Sequence, residues 1–186
     1  MSKNLEGSKT LENLKTAFTG ESQARVKYQF YASQAKKDGY EQISEIFTET
    51  SDNEKEHAKI WYKLIQGAET GTAAVGSTRA NLQAAIEGET YEYSDMYREF
   101  AETARREGFD EIAEKFEQIG NIEKEHEARF SKLLQNIDDD IVFKSDKVTV
   151  WKCRNCGYIF TGDKAPEICP ACSHPQSFFE IKATNY

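Results

Sequence analysis

Glu54-Lys55-Glu56-His57 and Glu123-Lys124-Glu125-His126 are the same tetrapeptide, 69 residues apart. On an α-helix, residues three apart lie about 60° from each other around the axis. Glu54 with His57, and Glu123 with His126, therefore each project one carboxylate and one imidazole to one side. Oxygen and nitrogen donors so placed suit a transition metal. Each copy is paired with an earlier Gly-Glu, Gly20-Glu21 and Gly88-Glu89.

Working outward, the offset of 69 holds over a long stretch. Ala32 to Gly39 matches Ala101 to Gly108, and Tyr28, Ile43, Phe47 and Leu64 map onto Tyr97, Ile112, Phe116 and Leu133. Gly39 and Gly108 stand where a helix ends in the left-handed conformation, with basic residues just before them as a last turn prefers. Four helices are expected, near 9–37, 41–66, 79–106 and 110–135, forming two equivalent hairpins over 9–66 and 79–135. Each hairpin has an apolar stripe that it cannot bury alone, so the expected architecture for 1–136 is mainly α, a four-helix bundle. Gly67 to Ser77 lacks apolar periodicity and reads as the linker between hairpins.

The Gly-Glu pairs break the offset, because Glu21 matches Glu89 at 68 rather than 69. One extra residue therefore lies between Glu89 and Tyr97. A helix commonly absorbs such an insertion as a π-bulge, often at a functional site. The spacing predicts a bulge within 90–96 that aims an additional carboxylate, Glu92, at the metals; the first helix has Ala24 at that spacing. The expected ligand set is Glu21, Glu54, His57, Glu89, Glu92, Glu123 and His126. Five carboxylates in a bundle core could not all stay ionised without cations. Two ferrous ions would bring +4 against −5, whereas one divalent ion would leave the site too negative. Glu56 and Glu125 point about 100° away from the histidines and should face solvent. Tyr28 and Tyr97 fall near the ligand face, as core aromatics or as hydrogen-bonding neighbours of the ligands.

Composition bounds the rest. Among 186 residues, 30% are charged with a net charge of −8, and Tyr, Phe and Trp number 9, 11 and 2. That many rings offset chain entropy and argue against disorder. An acidic balance without a basic stripe disfavours nucleic acid and anionic membranes. No apolar run approaches the roughly 18 residues of a membrane span, and Met1 to Gly7 lacks a signal-peptide core, so a soluble cytoplasmic protein is expected.

After Asp138-Asp139-Asp140 the helical period stops, and 137–147 reads as a connection to a small module over 148–186. There Cys153-x-x-Cys156-Gly157 and Cys169-x-x-Cys172 present four thiols within twenty residues. Two residues between thiolates let a tight loop offer both sulfurs to one ion, and Gly157 permits the backbone that aims amides at sulfur. Four thiolates accept zinc or iron. Attachment to a redox-active two-metal site favours iron. Some forty residues could hardly fold on apolar content alone, so the metal holds the module together. His174 reads as a surface residue, since four cysteines already complete the coordination.

Gly-Glu-Ser, Glu-x-x-His, Gly-Glu-Thr-Tyr-Glu and Glu-x-x-His, followed by Cys-x-x-Cys-Gly-Tyr and Cys-Pro-x-Cys, together resemble the rubrerythrin family over nearly the whole chain. The resemblance implies a ferritin-like diiron bundle joined to a rubredoxin-like domain. It implies Glu54 and Glu123 as bridging carboxylates, Glu21 and Glu89 as terminal ligands, and His126 as a permanent ligand on one iron. His57 and Glu92 would alternate on the other iron, His57 when reduced and Glu92 when oxidised. Tyr28 and Tyr97 match tyrosines beside the cluster.

The implied reaction is reduction of hydrogen peroxide to water, with each ferrous ion giving one electron and Glu92 carrying protons. The rubredoxin-like iron would return electrons singly. They would come from an external NAD(P)H-dependent reductase or a rubredoxin, because the chain has no Gly-x-Gly-x-x-Gly motif. The resemblance also implies a homodimer. An 11-residue linker barely spans a helix of about 26 residues, which raises a domain-swapped dimer as a further expectation. Two other functions fit parts of the pattern: a ferroxidase or iron-handling protein, and a non-enzymatic zinc-ribbon adaptor.

Overall fold

Ser8 opens the first helix, α1 (Lys9–Lys37), by accepting a hydrogen bond from the Leu11 amide at 3.2 Å, which satisfies one of the orphan donors of a first turn. The helix closes on Gly39, whose φ is +84°. The Gly39 amide donates to Lys36 O at 3.1 Å and the Tyr40 amide to Ala35 O at 2.9 Å, the paired bonds of a glycine-terminated helix end. The return helix, α2, runs Glu41–Thr70.

The computed structural model describes residues 5–70 and 75–184, in two units, Met1–Ser77 and Thr78–Tyr186. Within the first, α1 and α2 approach closely where side chains are small. Ala32 and Ala35 are buried, the Ser44 hydroxyl donates to Ala32 O at 2.9 Å, and the Ser51 hydroxyl donates to Arg25 O at 3.0 Å. Tyr28, Tyr31 and Phe47 form a ring triad with centroids 5.6 to 6.1 Å apart.

The second unit repeats this plan. Its outgoing limb comprises α3 (Thr78–Tyr91), a π-helical segment Glu92–Met96 and α4 (Tyr97–Arg106), and its return limb is α5 (Asp110–Asp138). In the π segment the Tyr97 amide bonds to Glu92 O, five residues back, so the extra residue is absorbed within the span that the broken offset predicts. Ala101, Ala104 and Ala113 are buried against Phe116, and Tyr97, Phe100 and Phe116 rebuild the ring triad. Gly120 stands at the position equivalent to Ser51, and a Cβ there would lie 3.3 Å from Tyr97 Cβ. Arg79 holds Asp138 through two bonds of 2.7 and 3.0 Å, tying the start of α3 to the end of α5.

Three boundaries depart from the sequence reading: α5 runs to Asp138 rather than 135, β1 begins at Lys144 inside the expected 137–147 connection, and α2 overruns its expected end. The helix expected to stop at 66 continues through Gly67 to Thr70. No neighbouring atom comes within 4 Å of a Cβ built at Gly67, so no contact interrupts the helix there, and Ala and Glu favour its continuation. Of the linker expected over Gly67 to Ser77, residues 71–74 lie outside those described and 75–77 are non-helical.

Asp140, with φ +55°, ends α5. Three antiparallel strands follow, β1 (Lys144–Cys153), β2 (Ile159–Lys164) and β3 (Phe179–Ile181), in the order β2-β1-β3. Trp151 pairs with Phe160 on one side and Ile181 on the other. It is fully buried with Cys153, Ala165, Cys169 and Phe179, and its indole N–H donates to Gly162 O at 3.0 Å. Among the described residues no helix is long and apolar enough to cross a membrane.

Candidate metal centres

The first hairpin brings Glu21 of α1 to Glu54 and His57 of α2. His57 Nδ1 lies 2.8 Å from Glu54 Oε2 and 3.9 Å from Glu21 Oε1. The second hairpin repeats the arrangement, with His126 Nδ1 2.7 Å from Glu123 Oε2 and 3.6 Å from Glu89 Oε2. In each trio one donor atom per residue falls within 4.8 Å of the others. Metal–oxygen and metal–nitrogen bonds of about 2.1 Å need donors spaced about 3 to 4 Å apart, so each trio fits one side of a metal site. Glu56 and Glu125 are exposed, and Glu56 pairs with Lys59 at 3.2 Å.

The electrostatics agree with an anionic pocket. The Glu54 carboxyl is held below its ordinary value by the hydrogen bond to His57 first and then by Glu21. Glu89 is pushed up, by burial first, then by the charge of Glu123, with a smaller contribution from Glu92. The Tyr97 phenol is also raised, by burial and then by Glu92, Glu123 and Glu89. A cation between these carboxylates removes the repulsion. Glu92 itself lies outside the converging trio but close enough for both Glu89 and Tyr97 to respond to its charge. It is half-buried, within the π segment.

In the sheet module two turns of the same form face each other. In one, the Gly157 amide donates to Cys153 O at 2.9 Å and the Cys153 amide to Tyr158 O at 2.9 Å; in the other, Ser173 donates to Cys169 O and Cys169 to His174 O, both at 2.8 Å. Gly157 and Ser173 adopt φ of +79° and +60°, each just after the second cysteine of its pair. Ser173 is the part the sequence did not announce, because a serine in the left-handed region carries no signal of its own.

Cys153 and Cys172 sulfurs stand 3.8 Å apart, and those of Cys156 and Cys169 3.7 Å. A disulfide needs about 2.05 Å. Tetrahedral coordination at about 2.3 Å places sulfurs about 3.8 Å apart, so the cage matches a four-thiolate metal. Its thiols cannot all ionise unaided. Cys172 is lowered to about 6 by the His174 amide first. Cys156 is raised to about 12 although the Tyr158 amide, its largest single influence, favours the thiolate, because neighbouring cysteines outweigh it. His174 does not join the four sulfurs; its Nδ1 lies 3.1 Å from Cys172 O and its ring packs edge-on against Phe178 at 4.5 Å.

Comparison with known proteins adds names to this geometry. Residues 12–134 match the family model described as Rubrerythrin, and residues 151–180 match "Rubrerythrin, rubredoxin-like domain". The chain is 50% identical to a rubrerythrin of Porphyromonas gingivalis, covering 100% of this chain and 96% of that protein. It is 51% identical to rubrerythrin-1 of Clostridium acetobutylicum, over 99% and 100% of the two chains. A rubrerythrin of Nitratidesulfovibrio vulgaris is 47% identical, over 99% and 100%. Two matching carboxylate–histidine trios on duplicated hairpins, a four-sulfur cage after them and full-length likeness to these proteins lead to one conclusion: the chain belongs to the rubrerythrin family.

Proposed function

We propose that this oxidoreductase reduces hydrogen peroxide to water at a two-iron site and is re-reduced through its four-thiolate iron. The family's cofactor is iron at both places. The observation that carries the reading is the pair of matching trios, each with two carboxylates and one imidazole, in a chain that also holds a four-sulfur cage. The helices through Asp138 would form the catalytic bundle and the sheet module from Lys144 onward the electron-transfer module.

When bound, two adjacent irons supply two one-electron donors, which matches the two-electron cleavage of an O–O bond. The residues do the rest. Glu21, Glu54, His57, Glu89, Glu123 and His126 would hold the pair. Glu92 sits beside Glu89 on a helix segment with a loosened hydrogen-bond ladder, suited to moving a proton from its carboxyl oxygen to the departing oxygen of peroxide. Two protons and two electrons per peroxide give two waters. Tyr28 and Tyr97 wall the site with rings and place a phenol near the carboxylates.

Cys153, Cys156, Cys169 and Cys172 would hold an iron that supplies electrons singly, since a four-thiolate cage changes charge with little ligand movement. Their source is an external NAD(P)H-dependent reductase, directly or through a rubredoxin, and the setting is oxidative-stress defence in the cytoplasm. Stopped-flow mixing of fully reduced protein with peroxide tests the reading. The expected result is fast reoxidation of the bundle irons followed by the thiolate iron. Reoxidation of the thiolate iron first, or no reaction with peroxide, would overturn it.

A further inference from the structure

On the side of the first hairpin turned away from its metal-binding trio, α1 and α2 leave a cavity of about 530 Å³ between them, within the roughly 300 to 1,000 Å³ of small-molecule sites. Around α2, Lys55 and Lys59 lie about 100° and about 140° from Glu54, whereas His57 lies about 60° the other way. The floor is aromatic. Phe18 and Tyr62 pack with centroids 5.5 Å apart at a tilt of 33°, and both are half-buried, so each ring keeps an open face. The wall is cationic, formed by Arg25, Lys55 and Lys59. Among the described residues no carboxylate lines this cavity, in a chain whose net charge is −8.

The three cations are only partly neutralised. Glu56 serves two of them, with Oε2 3.2 Å from Lys59 Nζ and Oε1 3.9 Å from Lys55 Nζ, and among the described residues Arg25 has no ion-pair partner. Nor does the duplicated architecture need this set. At an offset of 68 the second hairpin has Ile86 for Phe18, and at 69 it has Ala128 for Lys59 and Ser131 for Tyr62. It builds the same helix pair without the two rings and without the second ammonium. Those side chains are additions peculiar to the first hairpin.

We propose that this cavity binds a phosphate monoester carried on a flat ring system, of which a mononucleotide is the simplest form. The aromatic pair offers a stacking surface for the ring. The guanidinium and the two ammoniums surround the phosphate, which both residue types hold through charge-assisted hydrogen bonds. The Ser22 hydroxyl already donates to Phe18 O at 2.7 Å, which leaves its oxygen to accept from a sugar hydroxyl. An uncharged ring compound would leave the cations unsatisfied, and free phosphate would leave the rings uncovered. The site is separate from the iron centres, and its occupation does not depend on the peroxidase reading.

Isothermal titration of the full-length, iron-loaded protein with adenosine monophosphate tests this. The expected result is saturable binding at a single site per chain. Adenosine, which lacks the phosphate, and inorganic phosphate, which lacks the ring, should each bind at least about tenfold more weakly. Arg25→Gln and Lys59→Gln should each weaken binding of the monophosphate at least about tenfold. Lys124→Gln, at the position equivalent to Lys55 in the second hairpin, should leave it unchanged. Absence of saturable binding, equal binding of adenosine or of inorganic phosphate, or binding that the Arg25 and Lys59 substitutions leave unchanged would overturn the proposal.

Should the glutamine variants misfold, lysine acetylation of the unmodified holoprotein, read by peptide mass spectrometry, decides the matter. The Lys55 and Lys59 side chains are 47% and 50% exposed, so the reagent reaches both. With adenosine monophosphate at about ten times its Kd, labelling of Lys55 and Lys59 should slow about tenfold by mass action, while Lys124 labels at its unliganded rate. Equal labelling of Lys55 and Lys59 with and without the nucleotide overturns the proposal.

Discussion

Glu92 gives the second hairpin a carboxylate that the first lacks, since the first has Ala24 at the same spacing from its Gly-Glu pair. Its charge raises both Glu89 and Tyr97, so it adds anionic character to a pocket that already has two carboxylates. Replacing Glu92 with Gln keeps the size and removes the titrating oxygen. The expected outcome is bundle iron near the wild-type level with peroxide-driven reoxidation slower by about 10²-fold, the low end for a lost proton-transfer group, read by stopped-flow absorbance. Full-rate reoxidation would assign the proton to another group. The trios themselves were legible as letters, because Glu-x-x-His at one offset is a periodicity statement. That Glu92 stands near Glu89 without joining the trio was not, because a π turn changes side-chain direction in a way that spacing on a regular helix does not describe.

At the scale of elements, the hairpin turns were legible and the end of α2 was not. Gly39 and Gly108 announce a stop, and both adopt φ of +84° with nothing within 4 Å of an added Cβ. Alanine at either should therefore cost only the left-handed backbone term, about 1 kcal/mol, by the same amount at each, measured by chemical denaturation. Unequal losses would show that the two turns are not equivalent. Gly67 has no left-handed role, so it gave a false stop inside α2. The strand start at Lys144 was equally hidden, since Lys144-Ser145-Asp146-Lys147 has no apolar alternation.

Between α4 and α5, Arg105 grips Glu117, with Nη2 2.8 Å from Oε2. Glu117 is depressed from its ordinary 4.5 by that hydrogen bond first, then by the Arg105 charge. A depressed carboxylate contributes stability that is present above its unfolded value and lost as pH falls through the folded one. Arg105→Met should therefore lower the melting temperature slightly at pH 7, and the difference from wild type should close as pH falls through the depressed Glu117 value. A gap that persists in acid would mean that the side chain acts through packing instead.

The whole molecule combines two sources of stability. The hairpins rest on helix packing, with alanines, ring triads and buried hydroxyls. The sheet module rests on five buried residues, two of them cysteines, which is too little apolar material without a metal. Removing iron should unfold the module while leaving the helices intact: Cys156→Ser is expected to lose the thiolate-iron band, expose 148–186 to proteolysis and leave the helical signal of the remaining chain unchanged. Protease resistance in the metal-free state would show that Trp151 and Phe179 suffice. The fold class could be read from the sequence because both centres sit on repeated motifs.

The matching turns at Gly39 and Gly108 have an evolutionary corollary. Each hairpin repeats the other's turn and ring triad at an offset of 69 residues. A repeat of this kind is what duplication of one hairpin leaves, and the extra residue before Tyr97 marks where the two copies part.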